Sequence, residues 1–358
     1  MSDAGIAIGQ IGERELLRRL RRRIPTDGGV LVGVGDDAAA IATGPLTLIT
    51  TDSLVEGVHF LREWTPARLL GRKALSINLS DIAAMAGVPR HATVSLCLPS
   101  DLPLAFVDGL YDGLLERAAE TGVNLVGGNL SATNGPIVID VTLLGQADRV
   151  LRRQGAQQGD LVVVTGQLGA AAEGMKALRK GARLDAEGNL ESTGRFSESL
   201  AGAVEHCLRV QLDPTPPLAF ARALAERELV HAGMDLSDGL SGDLLALCSE
   251  SRVGARLDPG CLPVDLQAAM LERTRNGDPL ALALHGGEDY QLLLAVPPER
   301  LEGLRDLAVV WEIATTVVGE FDAADPRVRL ESGEELVPAS HEHFRSSRHE
   351  RADAVAEA

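Results

Sequence analysis

Two hydrophobic periods alternate along this chain, and the switches between them mark its elements. Glu13 to Arg23 repeats at helical spacing, with Leu16, Leu17 and Leu20 on one side and arginines around them. Leu46 to Thr50 reads as a strand. Thr65-Pro66 supplies an N-cap and a first-turn proline for a helix running to about Met85 and closed by Gly87. That helix carries Asn78 and Asp81, three residues apart and so on one face. His91 to Leu98 alternates as a strand, and Pro103 to Thr121 is a second helix. The strand Val123 to Val126, a turn at Gly127-Gly128-Asn129 and the strand Ile137 to Gln146 follow. The order β, β, α, β, α, β, β fits an α+β domain better than a doubly wound parallel one.

Arg149 to Gly159 reads as a connection, and the apolar run Leu161 to Thr165 as a buried strand opening a second domain. A helix from about Gly169 to Lys180 precedes a polar, glycine-bearing loop, Gly181 to Gly194. Pro214, Pro216 and Pro217 punctuate before a helix at about Leu218 to Arg227. Met234 to Asp238 leads into a helix ending near Ser249. Leu280 to His285 precedes Gly286-Gly287-Glu288-Asp289, and Gln291 to Val296 reads as a strand. The pattern divides the chain into an N-terminal domain over residues 1–148, a C-terminal domain over 149–345 and a charged, alanine-rich tail over 346–358 that is expected to be disordered.

Composition narrows the function. At 358 residues two domains are the default. Aromatics are 3% of the chain, so Ala, Leu and Val must fill the cores. A net charge of −17 argues against nucleic-acid or anionic-membrane partners, so phosphates must be handled through cations or backbone N–H groups. Cys97, Cys207, Cys248 and Cys261 lack metal-ligand or disulfide spacing, and Cys97 reads as a small buried hydrophobe. With no signal-peptide core and no apolar run of the ~18 residues that a span requires, a cytoplasmic protein is expected.

The candidate chemistry is acidic. Asp36/Asp37, Asp52, Asp81, Asp235/Asp238 and Glu288/Asp289 sit beside glycines or at element ends, where any one of them could be an ordinary turn or cap residue. As a set they exceed the two carboxylates that general acid–base chemistry uses. Asp81 lies among apolar residues of a helix, where an unpaired carboxylate is costly. Several Mg²⁺ ions on a polyphosphate would offset the repulsion, and Mg²⁺-assisted phosphoryl transfer is the chemistry such a site suits. No P-loop and no protein-kinase signature is present. The pair Arg152-Arg153 reads either as a phosphate contact or as a solvated linker pair. His59 alone reads as structural, and His341, His343 and His349 as solvated. Asn78-Leu-Ser-Asp81 is echoed by Asp235-Leu-Ser-Asp238, too short a match to claim duplication.

Taken in order, several stretches resemble the thiamine-monophosphate kinase family of the aminoimidazole ribonucleotide synthetase-like ATP-binding superfamily. They are Gly33-Val-Gly-Asp-Asp37, Thr50-Thr-Asp-Ser53 with Gly57-Val-His-Phe60, Lys73 to Met85, Gly127-Gly128, Arg153 to Asp160, Asp235-Leu-Ser-Asp-Gly239 and Gly286-Gly-Glu-Asp-Tyr290. The resemblance implies a two-domain α+β fold whose N-terminal mixed sheet forms a barrel in a homodimer, beside a C-terminal α/β sandwich domain. It implies direct transfer of the ATP γ-phosphoryl to thiamine monophosphate, with no acid, base or nucleophile from the protein. By position, Asp37, Thr50, Thr51, Asp52, Asp81, Asp235 and Asp238 would hold Mg²⁺. Gly128, Asn129, Arg153 and Ser237 would contact ATP, and His59, Glu288 and His341 the thiamine substrate.

Three positions depart from that pattern. The family's Gly-Gly-Asp ends here in Asn129, a neutral and weaker Mg²⁺ ligand. Its Arg-Pro-x-Pro-Arg stretch is Asp213-Pro-Thr-Pro-Pro217, and its aromatic substrate contact aligns with His341. These changes leave open a different acceptor within the superfamily, or a nucleotide-binding regulator without turnover.

Overall fold

The computed structural model of the chain describes residues 30–32, 36, 37, 39–42, 46–323 and 325–340. The expected helix Glu13–Arg23, the Gly33–Gly35 stretch, His341 and the 346–358 tail lie outside the described residues.

Two six-stranded sheets carry the two halves, as an α+β chain should. The N-terminal half contains β1 (Val30–Val32), β2 (Ala39–Ala42), β3 (Leu46–Val55), helix α1 (Ala67–Ala84), β4 (Val88–Pro99), α2 (Leu104–Thr121), β5 (Asn124–Thr133) and β6 (Val138–Ala147). Its sheet has the order β1-β2-β3-β6-β4-β5, antiparallel except for the β4–β5 pair.

The C-terminal half contains β7 (Leu161–Thr165), α3 (Ala170–Arg179), β8 (Ala182–Leu184), β9 (Leu190–Thr193), α4 (Ala201–Leu212), α5 (Leu218–Glu226), β10 (Ala232–Asp235) and α6 (Leu240–Ser251). It continues through β11 (Gly254–Leu257), α7 (Leu266–Arg273), α8 (Pro279–His285), β12 (Leu292–Val296), α9 (Leu301–Val310), β13 (Thr315–Asp322) and β14 (Val328–Leu330). Its sheet runs β10-β12-β7-β13-β11-β14, and β8 pairs with β9 as a separate hairpin.

Several elements differ from the sequence reading. Strand β3 does not stop at Thr50: it pairs with β6 from Leu46↔Ala147 to Val55↔Val138, so Thr50, Thr51 and Asp52 lie within the ladder. Thr51 lies on the open sheet face, which tolerates a polar residue, whereas Thr50 on the covered face is met by Asp81 of the helix above it. Gly127-Gly128-Asn129 is likewise no turn and belongs to β5. A Cβ on Gly128 would sit 1.9 Å from the Val94 carbonyl oxygen, so glycine is required there by the close approach of β4.

Helix α1 begins at Ala67, with Thr65 buried ahead of it and making no cap. Past its end Ala86 takes the left-handed φ of 57°, while Gly87 admits the Leu48 side chain, whose Cδ1 would lie 2.3 Å from a Cβ there. The stretch Gly181–Gly194 forms the β8–β9 hairpin, and Cys97 is only partly buried.

The helix α1 organises the molecule. Fourteen of its eighteen residues are buried, so it has no solvent face of the usual width. It packs on the N-terminal core and on the C-terminal half at once. Tyr290, from the loop before β12, is seated in the N-terminal core cluster with Leu75, Leu79 and Ile139. The two halves therefore share apolar packing.

Candidate active site

Period-2 geometry sends Thr50, Asp52 and Leu54 to the sheet face that α1 covers, and Thr51 and Ser53 to the other. Thr50 Oγ1 donates to Asp81 Oδ2 on α1. From the second half, β10 ends in Asp235, whose Oδ2 accepts from Ser80 Oγ at 2.6 Å. The two short echoes noted in the sequence thus meet in space, serine of one on aspartate of the other. Carboxylate oxygens of Asp37, Asp81 and Asp235 all lie within 4.8 Å of one another.

The electrostatics of this cluster are unfavourable without a cation. Burial, then the charges of Asp235, Asp52 and Asp37, push Asp81 well above the carboxylate range. Burial and Asp37 do the same to Asp235. Asp52 is pushed up to about 6, chiefly by burial, against a hydrogen bond with Asp81. Asp36 also rises to about 6, from burial and from its neighbour Asp37.

Asp37 Oδ2 and Asp235 Oδ1 are buried and have no hydrogen-bond partner among the described residues. Arg153 brings the nearest positive charge: its guanidinium is ion-paired with Asp37 and its backbone N–H donates to Asp36 Oδ1 at 3.2 Å. An all-oxygen donor set with two orphaned, buried atoms fits a hard divalent cation.

A turn completes this wall. Ser237 and Asp238 follow β10, and Asp243 of α6 accepts from the Asp238 and Gly239 backbone N–H groups. Against that turn lies the loop Gly286–Tyr290, where Glu288 N–H donates to Ser237 O (2.7 Å) and Tyr290 N–H to Leu236 O (2.9 Å). A Cβ on Gly287 would come within 2.6 Å of Ser237 O, so the loop is glycine by contact.

Two predicted residues fall elsewhere. Thr51 Oγ1 bonds Asp140 (3.3 Å) and Thr142 (3.1 Å) on the open sheet face. Cross-strand register places Asn129 on that same face, in the row Ser53–Asp140–Ser95–Asn129, and its Nδ2 donates to Ser131 Oγ at 3.0 Å. Thr51 and Asn129 therefore do not join the Asp37–Asp81–Asp235 cluster. With Asp140, absent from the sequence reading, they form a second polar patch.

The third region is a cavity lined by His59, Phe60, Trp64, Lys73, Met175 and Gln211 among others. His59 Nδ1 accepts from Val55 N–H at 3.0 Å, which assigns the neutral proton to Nε2. Glu288 adjoins this cavity through Lys73, whose Nζ is 2.8 Å from Glu288 Oε1, and through Gln211, whose amide donates to Glu288 Oε2. Its neighbour Asp289 points away, accepting Gly169 N–H at the start of α3.

Sequence reasoning missed Lys73 and Gln211 as site residues. A lysine among apolar helix residues was itself a signal, because a buried ammonium requires a partner. The arginines missing around Asp213 have a counterpart in space: Asp213 is held by Arg72 of α1 (2.9 Å) and Arg117 of α2 (2.6 Å).

The family described as AIR synthase related protein matches in both parts: its N-terminal domain at residues 35–147 and its C-terminal domain at residues 157–331. The thiamine-monophosphate kinase of Rhodopirellula baltica is 33% identical over 86% of this chain and 89% of its own length. That of Aquifex aeolicus is 33% identical over 87% of this chain and 92% of its own. This chain belongs to the thiamine-monophosphate kinase family. A solved complex of the family member AaThiL with AMPPCP and TMP superposes with a TM-score of 0.82, at 30% identity, covering 96% of this chain and all of that one. The two-domain α+β architecture is thus that of the family. Among the described residues no helix is long and apolar enough to cross a membrane.

Proposed function

We propose that the chain transfers the γ-phosphoryl group of ATP to the phosphate of thiamine monophosphate, yielding thiamine diphosphate and ADP. The observation that carries the reading is the convergence of Asp37, Asp81 and Asp235 with two buried, unpartnered carboxylate oxygens, in a chain of this family. Asp37, Asp52, Asp81, Asp235 and Asp238, with the Thr50 hydroxyl, would hold Mg²⁺; Thr51 and Asn129, beside Asp140 on the opposite sheet face, would ligate only a separate ion there. Bound Mg²⁺ cancels charge on the transferring phosphoryl group.

The chain's own groups bind and orient. Arg153, ion-paired with Asp37, would meet ATP phosphate oxygens, with Ser237 and the exposed Gly128 and Asn129 as further ATP contacts. His59 and Glu288 would contact thiamine monophosphate, and His341 lies outside the described residues. Phe60 and Trp64 give the small space beside His59 apolar walls. The acceptor phosphate already carries an ionised oxygen near neutral pH, so attack requires no protein base. On this reading transfer is direct and in line, without a phosphoenzyme.

A homodimer is part of the reading. Strand β5 is the sheet edge and exposes Val126 and Leu130, an open flank suited to a second copy. Use of ATP fits a cytoplasmic site of action.

The deciding assay supplies ATP, Mg²⁺ and thiamine monophosphate and follows thiamine diphosphate. Absence of product at high enzyme concentration overturns the reading. Label from γ-labelled ATP retained on denatured protein would replace direct transfer by a covalent route.

A further inference from the structure

Lys73 Nζ is buried between two C-terminal groups: Glu288 Oε1 at 2.8 Å and the Gln211 main-chain oxygen at 2.9 Å. The residue is 3% exposed, yet it belongs to the N-terminal helix α1. Gln211 of α4 donates its side-chain amide to the other carboxylate oxygen of Glu288. Both oxygens of Glu288 are therefore fixed, one from each half of the molecule.

The backbone beneath this carboxylate is strained. Glu288 has φ 65° and Tyr290 φ 49°, left-handed values that side-chain-bearing residues adopt only when their surroundings enforce them. The backbone bonds to Ser237 and Leu236 enforce the loop path, and Lys73 and Gln211 enforce the side chain. The glutamate side chain remains 30% exposed, beside the cavity that Lys73 and Gln211 themselves line. Burial by itself pushes the Glu288 carboxyl up. The Lys73 ammonium and the Gln211 amide reverse this and hold it below the ordinary glutamate range.

We propose that Lys73, supported by Gln211, is a positioning residue that presents the Glu288 carboxylate to the thiamine moiety, so that acceptor recognition is assembled only when both domains are docked. The inference rests on the function proposed above. Thiamine offers a cationic thiazolium and an aminopyrimidine with N–H donors, both of which a fixed carboxylate in an otherwise apolar wall recognises. Lys73 itself touches no reacting atom. Its effect passes through Glu288, and it is separate from the metal cluster, which Ser80 and Asp81 serve two turns further along the same helix.

The test is a double-mutant cycle on the full-length chain, with kinetics for both substrates and calorimetric binding of thiamine monophosphate. Lys73→Met is expected to raise KM for thiamine monophosphate by roughly tenfold or more, with kcat and the KM for ATP changed by less than about threefold. In the Glu288→Gln background Lys73→Met should add no further loss. Equal losses for ATP and acceptor, or additive losses in the cycle, overturn the positioning role. If Lys73→Met does not fold, Gln211→Leu removes the second donor and must raise the same constant; an unchanged value overturns the proposal. A wild-type chain that makes no thiamine diphosphate fails the function reading. The calorimetric arm then still decides the inference, because unchanged affinity in Lys73→Met overturns it.

Discussion

Ser80 Oγ lies 2.6 Å from Asp235 Oδ2, a buried hydrogen bond that joins the N-terminal helix to the first strand-end carboxylate of the C-terminal half. Asp235 is 2% exposed and its other oxygen has no partner among the described residues, so this hydroxyl is its principal relief. Ser80→Ala should destabilise the metal-free chain by about 1–3 kcal/mol, the cost of leaving a buried acceptor unsatisfied. Chemical denaturation with and without Mg²⁺ checks this. The loss should shrink when Mg²⁺ is present, because the ion takes over the same carboxylate.

Asp52→Asn should separate activity from stability. Asp52 is pushed up to about 6 by burial and by its acidic neighbours, so a neutral amide of the same shape relieves repulsion. Turnover should fall by about a thousandfold or more, since charge compensation at the transferring phosphoryl is lost. The thermal midpoint without metal should stay level or rise. Near-normal turnover would remove Asp52 from the site.

Buried carboxylates in and beside the site also set a pH dependence. Asp289 is pushed up to about 7 by burial, and Asp36 and Asp52 to about 6. Each holds a proton in the folded chain that the unfolded chain has released. Their contribution is thus fully present below the ordinary carboxylate range and is lost as pH rises through about 6 to 7. At roughly 1.4 kcal/mol per unit, Asp289 alone contributes on the order of 1–4 kcal/mol. Without divalent cation, the unfolding temperature should rise on going from about pH 8 to about pH 6, and Asp289→Asn should remove part of that slope. Saturating Mg²⁺ should flatten the remainder by binding the ionised cluster.

Asn129→Asp tests the second polar patch. The residue is exposed on the face that carries Thr51 and Asp140, and an added carboxylate there should lower the Mg²⁺ concentration needed for half-maximal activity. A metal titration with an unmoved midpoint would make the position structural.

The sequence carried the fold and the acidic site because both rest on local signals. Helix α1, strand β7 and strand β6 emerged within a few residues, each with strong periodicity. Asp81 stood out because a carboxylate among apolar helix residues demands a partner. What local signals could not carry was the sidedness of β3. Thr50, Thr51 and Asp52 read as one group, and only the pairing with β6 reveals that Thr51 faces away. The turn expected at Gly127–Asn129 failed for a related reason: a glycine demanded by a neighbouring strand looks identical to one demanded by a bend. Gln211 went unseen because its whole helix, α4, carried no recognised boundary, and its function depends on a residue 77 positions away.

One consequence of the helix between the halves concerns length. Lys73 meets Glu288, Ser80 meets Asp235 and Asp81 meets Thr50, all from one continuous rod. A residue inserted or deleted between Lys73 and Ser80 would turn the downstream part by about 100° and shift it by about 1.5 Å. The acceptor contact and the cation site would then point in different directions, although every residue type would still be present. The spacing along this rod is thus a built-in ruler, and changes of length within it should be far less tolerated than in the β8–β9 hairpin, which bears none of these groups.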